Sequence, residues 1–198
     1  MPSFSVGYFV GSLSSTSINR KLASALVQLA PRGLTMKEIA IRDLPLYSSD
    51  YDKDYPPIGR AFKDQIAAVD AVLFVTPEYN RSIPGALKNA IDWASRPYGK
   101  NAFARKPSAI IGASPGKIGT AVAQAHLRSI LAFCNSPLMN AIEAYIEYKP
   151  GLVSDDGKVT VESTEDFLRS YMKEFYGFIQ RVYTALPRTT GEVARVDD

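Results

Sequence analysis

The sequence contains one cysteine and one histidine in 198 residues, and these shortages exclude several kinds of site. A single cysteine cannot form a disulfide within the chain. Cys134 lies in an apolar stretch, which favours a buried thiol without a chemical role. A lone histidine cannot build a zinc site of the usual cysteine and histidine type, so no metal site is predicted. His126 falls inside a predicted helix, and we expect it to be structural.

The sequence also lacks long apolar runs and dense clusters of charge. No run approaches the ~20 apolar residues of a membrane-spanning helix, and the N-terminus does not have the pattern of a secretion signal. The formal net charge is +3, without a dense run of lysine or arginine, which is not the pattern of a nucleic-acid-binding protein. We therefore expect a cytoplasmic protein that binds neither membranes nor nucleic acid.

Apolar strands and amphipathic helices alternate five times along the chain. Strands are predicted at residues 4–10, 34–41, 71–75, 106–111 and 138–141, and helices at 18–30, 58–68, 84–95, 119–134 and 165–185. Residues 143–161 are predicted to be loop or edge material. The alternation is typical of an α/β fold, a doubly wound five-stranded parallel sheet with helices on both faces. We predict one domain over residues 1–186 and a disordered polar tail at 187–198.

Three unusual loops follow the first, third and fourth predicted strands. Because right-handed crossovers place all strand-to-helix loops at one edge of a sheet, we expect these loops to meet there. Ligands of doubly wound sheets bind at that edge, where the strand order reverses. The sequence therefore predicts one binding site built from the three loops.

The first loop, GSLSSTSINR at residues 11–20, is dense in hydroxyl groups. Amides at a helix N-terminus and the helix dipole attract anions, and hydroxyls add further donors. Ser17 is predicted to cap the following helix. The loop matches neither the dinucleotide pattern nor the P-loop pattern. A phosphate monoester is the predicted ligand. The alternative is that the loop is only rich in serine, and that the helix cap is its one function.

The second and third loops suit a flat ligand. In TPEYNRS, Pro77 fixes the backbone and Asn80 tolerates a tight turn, so that backbone amides and Tyr79 can be presented. The third loop, GASPGKIGT at residues 112–120, is not a P-loop, because Ile118 stands where serine or threonine is needed. Its glycines permit a close approach of the backbone to a planar ligand.

The helix after the second loop carries two further expectations. Ser82 is predicted to cap it near Pro84. Asp92 and Trp93 lie off its predicted core face. A tryptophan on an exposed helix face indicates a subunit contact, and the alternative is a local contact within the core.

A phosphate-binding loop followed by two loops that suit a flat ligand is the arrangement of a flavodoxin-like FMN site. Two segments, GSLSSTSINRKLA and PEYNRSIPGALKNAIDWASRP, make the sequence similar to the NADPH-dependent FMN reductases, which include quinone and chromate reductases and some azoreductases. They resemble the family patterns G-S-x-R-x-x-S-x-N-x-x-L and P-x-Y-N-x-S-x-P-G-x-L-K-N-A-I-D-W. The resemblance extends over residues 5–141.

The resemblance implies FMN-binding residues in all three loops. It places the phosphate on the first loop and the isoalloxazine and ribityl chain along residues 77–80, mostly through backbone groups. Ser14 stands where the family often has an arginine, which weakens the charge-assisted contact unless Arg20 or a partner residue compensates. The third loop, with Pro115 and Lys117, also departs from the usual glycine pair. The implied set is Ser12, Ser14, Ser17, Ile18, Asn19, Pro77, Glu78, Tyr79, Asn80, Ser114, Pro115 and Gly116.

The resemblance also implies an NAD(P)H oxidoreductase that transfers two electrons through FMN by a ping-pong mechanism. The chemistry belongs to N5 of the flavin, so no side chain is expected to be catalytic, and Glu78 is expected in a turn or capping role. Quinones, azo compounds, nitro compounds and chromate remain possible acceptors, and NADPH and NADH possible donors. Two alternatives stay open: a flavin reductase that supplies reduced FMN to a partner, and a flavodoxin-type electron carrier, although such carriers are usually acidic.

The family works as a homodimer or homotetramer with the active site near the subunit interface. Residues 44–47, LPLY, match a family stretch. This segment either walls the pocket, its own or that of a partner subunit, or is only a packed loop.

Overall fold

A five-stranded, all-parallel sheet forms the centre of the protein in the order β2–β1–β3–β4–β5. The structure is a computed structural model that describes residues 2–187, so the predicted tail lies outside the described residues apart from Pro187. The strands are β1 (Phe4–Val10), β2 (Leu34–Glu38), β3 (Ala71–Val75), β4 (Ser108–Ser114) and β5 (Tyr145–Glu147). The helices are α1 (Ile18–Leu29), α2 (Pro57–Ala67), α3 (Gly85–Ser95), α4 (Ala121–Phe133) and α5 (Glu162–Ala185). The predicted flavodoxin-like fold class is confirmed.

Helices cover both faces of the sheet, as predicted. α1 and α5 pack on one face against a cluster that includes Val6 and Leu73. α2, α3 and α4 pack on the other face, where Phe9 stacks on Phe74 with ring centroids 5.0 Å apart. β3 is buried at every position, which explains its unbroken apolar sequence. Cys134 is buried as expected, and burial raises the pKa of its thiol.

None of the helices between residues 2 and 187 combines the length and the apolar character that crossing a membrane requires.

The second strand was predicted at 34–41 but ends at Glu38. Two further strand predictions were wrong in their bounds. β4 starts at Ser108 and runs to Ser114, three residues into the predicted third loop. The fifth strand lies at Tyr145–Glu147, inside the segment predicted as loop or edge, while Leu138 makes only one isolated bridge to Ser108. The longer β4 explains both differences, because Gly112, Ala113 and Ser114 supply the pairing positions for β5.

The predicted exposure of Trp93 is also wrong. Its side chain is 0% exposed and belongs to the core on the α3 side of the sheet. The irregular segment between β2 and α2 folds over it, so that the rings of Tyr47, Tyr51 and Tyr55 lie 5.3–5.5 Å from the indole. The indole Nε1 donates to the carbonyl of Pro45 at 2.7 Å. The contact is therefore local, and the 44–47 segment is packed on α3.

Tyr47 should make the protein sensitive to alkali. Burial and a 2.7 Å hydrogen bond to the Asp52 carboxylate raise the pKa of Tyr47 to about 12, from 10.0. A raised pKa favours the neutral phenol in the folded state, so its stabilising contribution is present below pH 10 and is lost as pH rises through about 12. We expect Tyr47→Phe to reduce the fall in the free energy of unfolding across this window, as measured by urea denaturation.

The exposed Tyr98 provides the control for this experiment, because its ring is 87% exposed. Tyr98→Phe should leave the pH dependence of unfolding as it is in the unmodified protein. An unchanged pH dependence in Tyr47→Phe would show that the phenol is not held in this environment.

Candidate functional site

The three loops converge at the carboxyl edge of the sheet, as the fold requires. β1 lies between β2 and β3, so the strand order reverses there, which is the position where ligands of doubly wound sheets bind. The Gly11 amide donates to the carbonyl of Val75 at 2.9 Å, and the Thr76 amide donates to the carbonyl of Ile111 at 3.0 Å. The start of each of the first two loops is therefore fixed to the neighbouring strand.

The first loop leads into the N-terminus of α1, a position that attracts anions. Ser17 caps the helix by accepting from the Arg20 amide at 3.3 Å, as predicted. The amides of Ile18 and Asn19 have no carbonyl partner within the helix, because they belong to its first turn. That turn contains no acidic residue. The hydroxyls of residues 14–16 are exposed beside it, so the loop fits the phosphate of FMN.

The side chains of Ser12 and Asn19 both make hydrogen bonds within the protein. Ser12 is 4% exposed, and its hydroxyl accepts from the Ser14 amide at 3.3 Å. Asn19 is 1% exposed; its Nδ2 donates to the carbonyl of Ala113, and its Oδ1 accepts from the Ala113 amide, both at 2.9 Å. Asn19 therefore joins the first turn of α1 to β4. The side-chain amide of Asn19 is engaged with the sheet.

The second loop is a tight turn that exposes Tyr79 and Asn80. Asn80 and Arg81 have positive φ angles of 51° and 61°. Tyr79 and Ser82 exchange two backbone hydrogen bonds of 3.0 Å, which close the turn. Pro77 is buried, whereas Tyr79 is 51% exposed. The turn chemistry predicted for Asn80 is therefore present.

Ser82 does not cap α3, contrary to the prediction. The residue before the helix is Pro84, and no side chain caps this end. Ser82 instead belongs to the turn with Tyr79, which places its hydroxyl 3.0 Å from Nδ1 of His126 on α4. It comes too early in the chain to reach the amides of the first turn of α3. His126 is exposed on α4 and contacts this turn.

Glu78 caps α4, in agreement with its expected role. Its Oε2 accepts from the amides of Val122 and Ala123, both at 3.0 Å. The side chain is only 12% exposed, and Arg81 lies 3.5 Å from Oε1. Thr120, the residue before the helix, provides no side-chain cap of its own. Glu78 therefore connects the second loop to the helix that follows the third.

Glu78→Gln should weaken this connection without removing the reaction. An amide keeps an acceptor oxygen but loses the charge that favours a helix N-terminus, so we expect a loss of about 1 kcal/mol in the free energy of unfolding. The pH dependence of turnover should keep its shape. Loss of an ionisation from that profile in Glu78→Gln would identify Glu78 as a proton donor and contradict the capping role.

The matched control is the exposed Glu143, which lies 3.9 Å from Arg128 and has a side chain 57% exposed. Glu143→Gln should change stability by less than about 0.5 kcal/mol.

The glycines of the third loop differ in the space around them. Gly116 has open space around it, since an added Cβ would meet only Ser114 Oγ, at 3.7 Å. Gly112, by contrast, lies in β4, where a Cβ would approach the carbonyl of Thr76 to 2.1 Å. The close approach at Gly112 is therefore between two parts of the protein. Ser114 accepts from the Gly116 amide at 3.2 Å, and residues 115–118 are exposed.

Each of the three loops also exposes one large apolar side chain. Leu13 is 37% exposed, Tyr79 51% and Ile118 55%. Exposed apolar groups at a site edge favour contact with the flat, partly apolar surface of a ring system.

Of two cavities in the described part of the chain, one lies at the first loop and the other along β5, and neither contains the full predicted set. A cavity of about 150 Å³ lies beside the first loop and is lined by Ser12, Leu13, Arg20, Glu38 and Arg42, among others. A larger groove of about 620 Å³ lies along β5 and the start of α5, and none of the twelve predicted residues lines it. Sequence reasoning missed Arg42, because its proximity to the loop depends on the path of the chain after β2.

Comparison with known proteins shows the family of the chain. Residues 4–151 match the model of a family described as NADPH-dependent FMN reductase. A 2-hydroxy-1,4-benzoquinone reductase of Burkholderia sp is 47% identical over 175 residues, covering 88% of this chain and 96% of that protein. A quinone reductase of Pseudomonas putida is 46% identical, covering 89% and 95%. FerB of Paracoccus denitrificans, a flavoenzyme NAD(P)H:(acceptor) oxidoreductase, is 45% identical with a TM-score of 0.86, covering 90% and 98%. The chain belongs to the NADPH-dependent FMN reductase family, with FMN as its cofactor and NAD(P)H as its electron donor.

Proposed function

We propose that this protein is a quinone reductase, in which two electrons pass from NAD(P)H to a quinone by a ping-pong mechanism. The observation that carries the proposal is the convergence of the three loops at the carboxyl edge of the sheet. Hydrogen bonds fix the first two loops to the neighbouring strands, α1 to β4, and the turn that exposes Tyr79 to α4. The names of two relatives that are 46–47% identical supply the acceptor class.

The first loop holds the phosphate of FMN in this proposal. The amides of Ile18 and Asn19 donate to it, and the hydroxyls of Ser12, Ser14 and Ser17 surround it. Asn19 acts through its backbone, while its side chain fixes the helix to β4. Phosphate binding by fixed amides positions the rest of the cofactor with little loss of entropy on binding.

The other two loops position the ring. Bound FMN supplies the hydride chemistry, and the protein supplies position and electrostatics. Pro77, Tyr79 and Asn80 present backbone and one aromatic side chain to it, and Glu78 holds this turn against α4. Ser114, Pro115 and Gly116 form the third side, where the open space at Gly116 admits a planar group. No side chain among these donates a proton in the proposed scheme.

The proposal includes an oligomer and a location. We expect a homodimer or homotetramer in the cytoplasm, in which residues 1–186 form a single FMN-binding domain. Three large apolar side chains, Leu46, Tyr98 and Phe133, are 84–87% exposed on the single chain. Burial of such groups in a subunit contact is favourable. Trp93 no longer supports this contact, because it is buried within the chain.

A flavin reductase that releases reduced FMN is the second candidate. Ser14 favours it, because a neutral residue stands where the family often has an arginine, and a weaker hold on the phosphate would let FMN leave.

Anaerobic absorption spectroscopy tests the proposal. The purified protein should carry flavin absorbance that NADPH bleaches and that 1,4-benzoquinone restores, and the steady-state double-reciprocal plots should be parallel. Absence of bleaching by NADPH and NADH would contradict the proposal and favour an electron carrier. Turnover that requires added free FMN, with no flavin retained on gel filtration, would favour the flavin reductase.

A further inference from the structure

The phosphate site as described has a helix N-terminus and hydroxyls but no cation from its own loop. Residues 11–19 contain no lysine, arginine, aspartate or glutamate. A phosphate monoester carries about −1.5 to −2 charges at neutral pH. A charged donor near such a group forms a hydrogen bond about twice as strong as a neutral one. A cation from another segment would therefore strengthen the site considerably.

The two basic residues that follow in α1 are both paired with carboxylates. Arg20 Nη1 lies 3.0 Å from Oε1 and 2.9 Å from Oε2 of Glu38, at the end of β2. Lys21 Nζ lies 2.9 Å from Oδ1 of Asp155. A charge that is already neutralised by a carboxylate contributes little to the binding of a second anion. Arg20, one of the compensating residues that the sequence suggested, is therefore a poor candidate.

Arg42 reaches the loop from the segment after β2. Its Nη2 donates to the carbonyl of Leu13, inside the loop. The segment is firmly held, because Ile39 and Ile41 are buried and the Ile39 amide donates to the carbonyl of Tyr8 at 2.9 Å. Between residues 2 and 187, no carboxylate lies within ion-pair distance of the Arg42 guanidinium.

We infer that Arg42 is the cation of the FMN phosphate site and compensates for the neutral Ser14. A guanidinium has five N–H donors, and only Nη2 of Arg42 donates to the carbonyl of Leu13. Arg42, Ser12 and Leu13 line the same cavity of about 150 Å³, which Arg20, its partner Glu38 and Asp43 also line. The remaining donors of the Arg42 guanidinium can bind phosphate oxygens while the carbonyl of Leu13 keeps its hydrogen bond. This inference rests on the proposed use of the first loop as the phosphate site.

Comparing FMN with riboflavin isolates the phosphate contact, because riboflavin lacks only that group. The flavin would be removed from the purified full-length protein, and each ligand titrated back by fluorescence quenching. We expect Arg42→Gln to raise the Kd for FMN about tenfold or more and to change the Kd for riboflavin less than about twofold. The salt dependence of FMN affinity should also become weaker in this variant. Arg42→Lys should restore part of the affinity.

The double variant Arg20→Gln/Glu38→Gln is the matched control, because it removes the Arg20–Glu38 pair without leaving a carboxylate unpaired beside the same cavity. It should bind FMN about as well as the unmodified protein does. Equal losses for FMN and riboflavin in Arg42→Gln would show that Arg42 only supports the loop, and no loss for either would also overturn the inference. A larger loss of FMN affinity in the double variant than in Arg42→Gln would assign the phosphate to Arg20. In each of these cases the unmodified protein still binds FMN and reduces quinone, which distinguishes them from failure of the proposed function.

Discussion

A Trp93→Ala variant should lose about 3–5 kcal/mol of its free energy of unfolding. The indole is 0% exposed, stacks on Tyr51 and has Tyr47 and Tyr55 at its edges. Its removal leaves a cavity between α3 and the segment that follows β2. It also leaves the carbonyl of Pro45 without the 2.7 Å bond from Nε1. Urea denaturation of the flavin-free protein, followed by circular dichroism, measures the loss.

Two further variants make this result specific. Trp93→Phe keeps an aromatic ring but removes the Nε1 donor, so its loss should be intermediate. Tyr98→Ala removes a ring that is 87% exposed and should change stability by about 0.5 kcal/mol or less. A loss below about 1 kcal/mol in Trp93→Ala would contradict the packing of this segment on α3.

Ser15→Asp should weaken FMN binding far more than riboflavin binding. Ser15 is exposed in the first loop, two residues before the cap of α1, so a carboxylate there repels the phosphate. A repulsion of about 1–4 kcal/mol for unit charges about 4 Å apart corresponds to a rise in Kd of about fivefold to about thousandfold. Fluorescence titration with both flavins measures the difference.

The same variant should not unfold the protein. A negative charge near a helix N-terminus is favourable to the helix itself, so the stability of the flavin-free protein should be kept or slightly raised. Ser15→Asn has a similar shape without the charge and serves as the control. Equal weakening of FMN and riboflavin binding by Ser15→Asp would place the phosphate elsewhere.

The sequence predicted the sheet, the helices and the three loops because each depends on a local pattern. The apolar run of β3, the helical spacing of apolar residues in α1 and the positive φ of Asn80 all follow from residues near one another in the chain. Strand-to-helix alternation then fixes which edge of the sheet carries the loops.

Contacts between distant parts of the chain account for the predictions that failed. Trp93 lies off the core face that the spacing of apolar residues predicts for α3, and only the fold of residues 45–55 shows that another segment covers it. β5 pairs with the last three residues of β4, which their small side chains had suggested to be loop. The hydroxyl of Ser82 forms its hydrogen bond with His126, 44 residues away, instead of capping α3.

The links within the candidate site are also long-range. Asn19 and Ala113 are 94 residues apart, Glu78 and Val122 are 44 apart, and Leu13 and Arg42 are 29 apart. The sequence identified Asn19 and Glu78 as part of the site, but it did not identify their partners on β4 and α4. No local pattern indicates that the chain after β2 brings an arginine back to the first loop.

A crystal structure of the FMN-bound protein tests the central claim most directly. The claim is that FMN lies at the carboxyl edge of β1, β3 and β4, with its phosphate at the N-terminus of α1. The predicted result is a phosphate within hydrogen-bond distance of the amides of Ile18 and Asn19, and a ring beside the turn at Tyr79 and Asn80. Flavin bound instead in the groove of about 620 Å³ along β5, with the three loops empty, would contradict it.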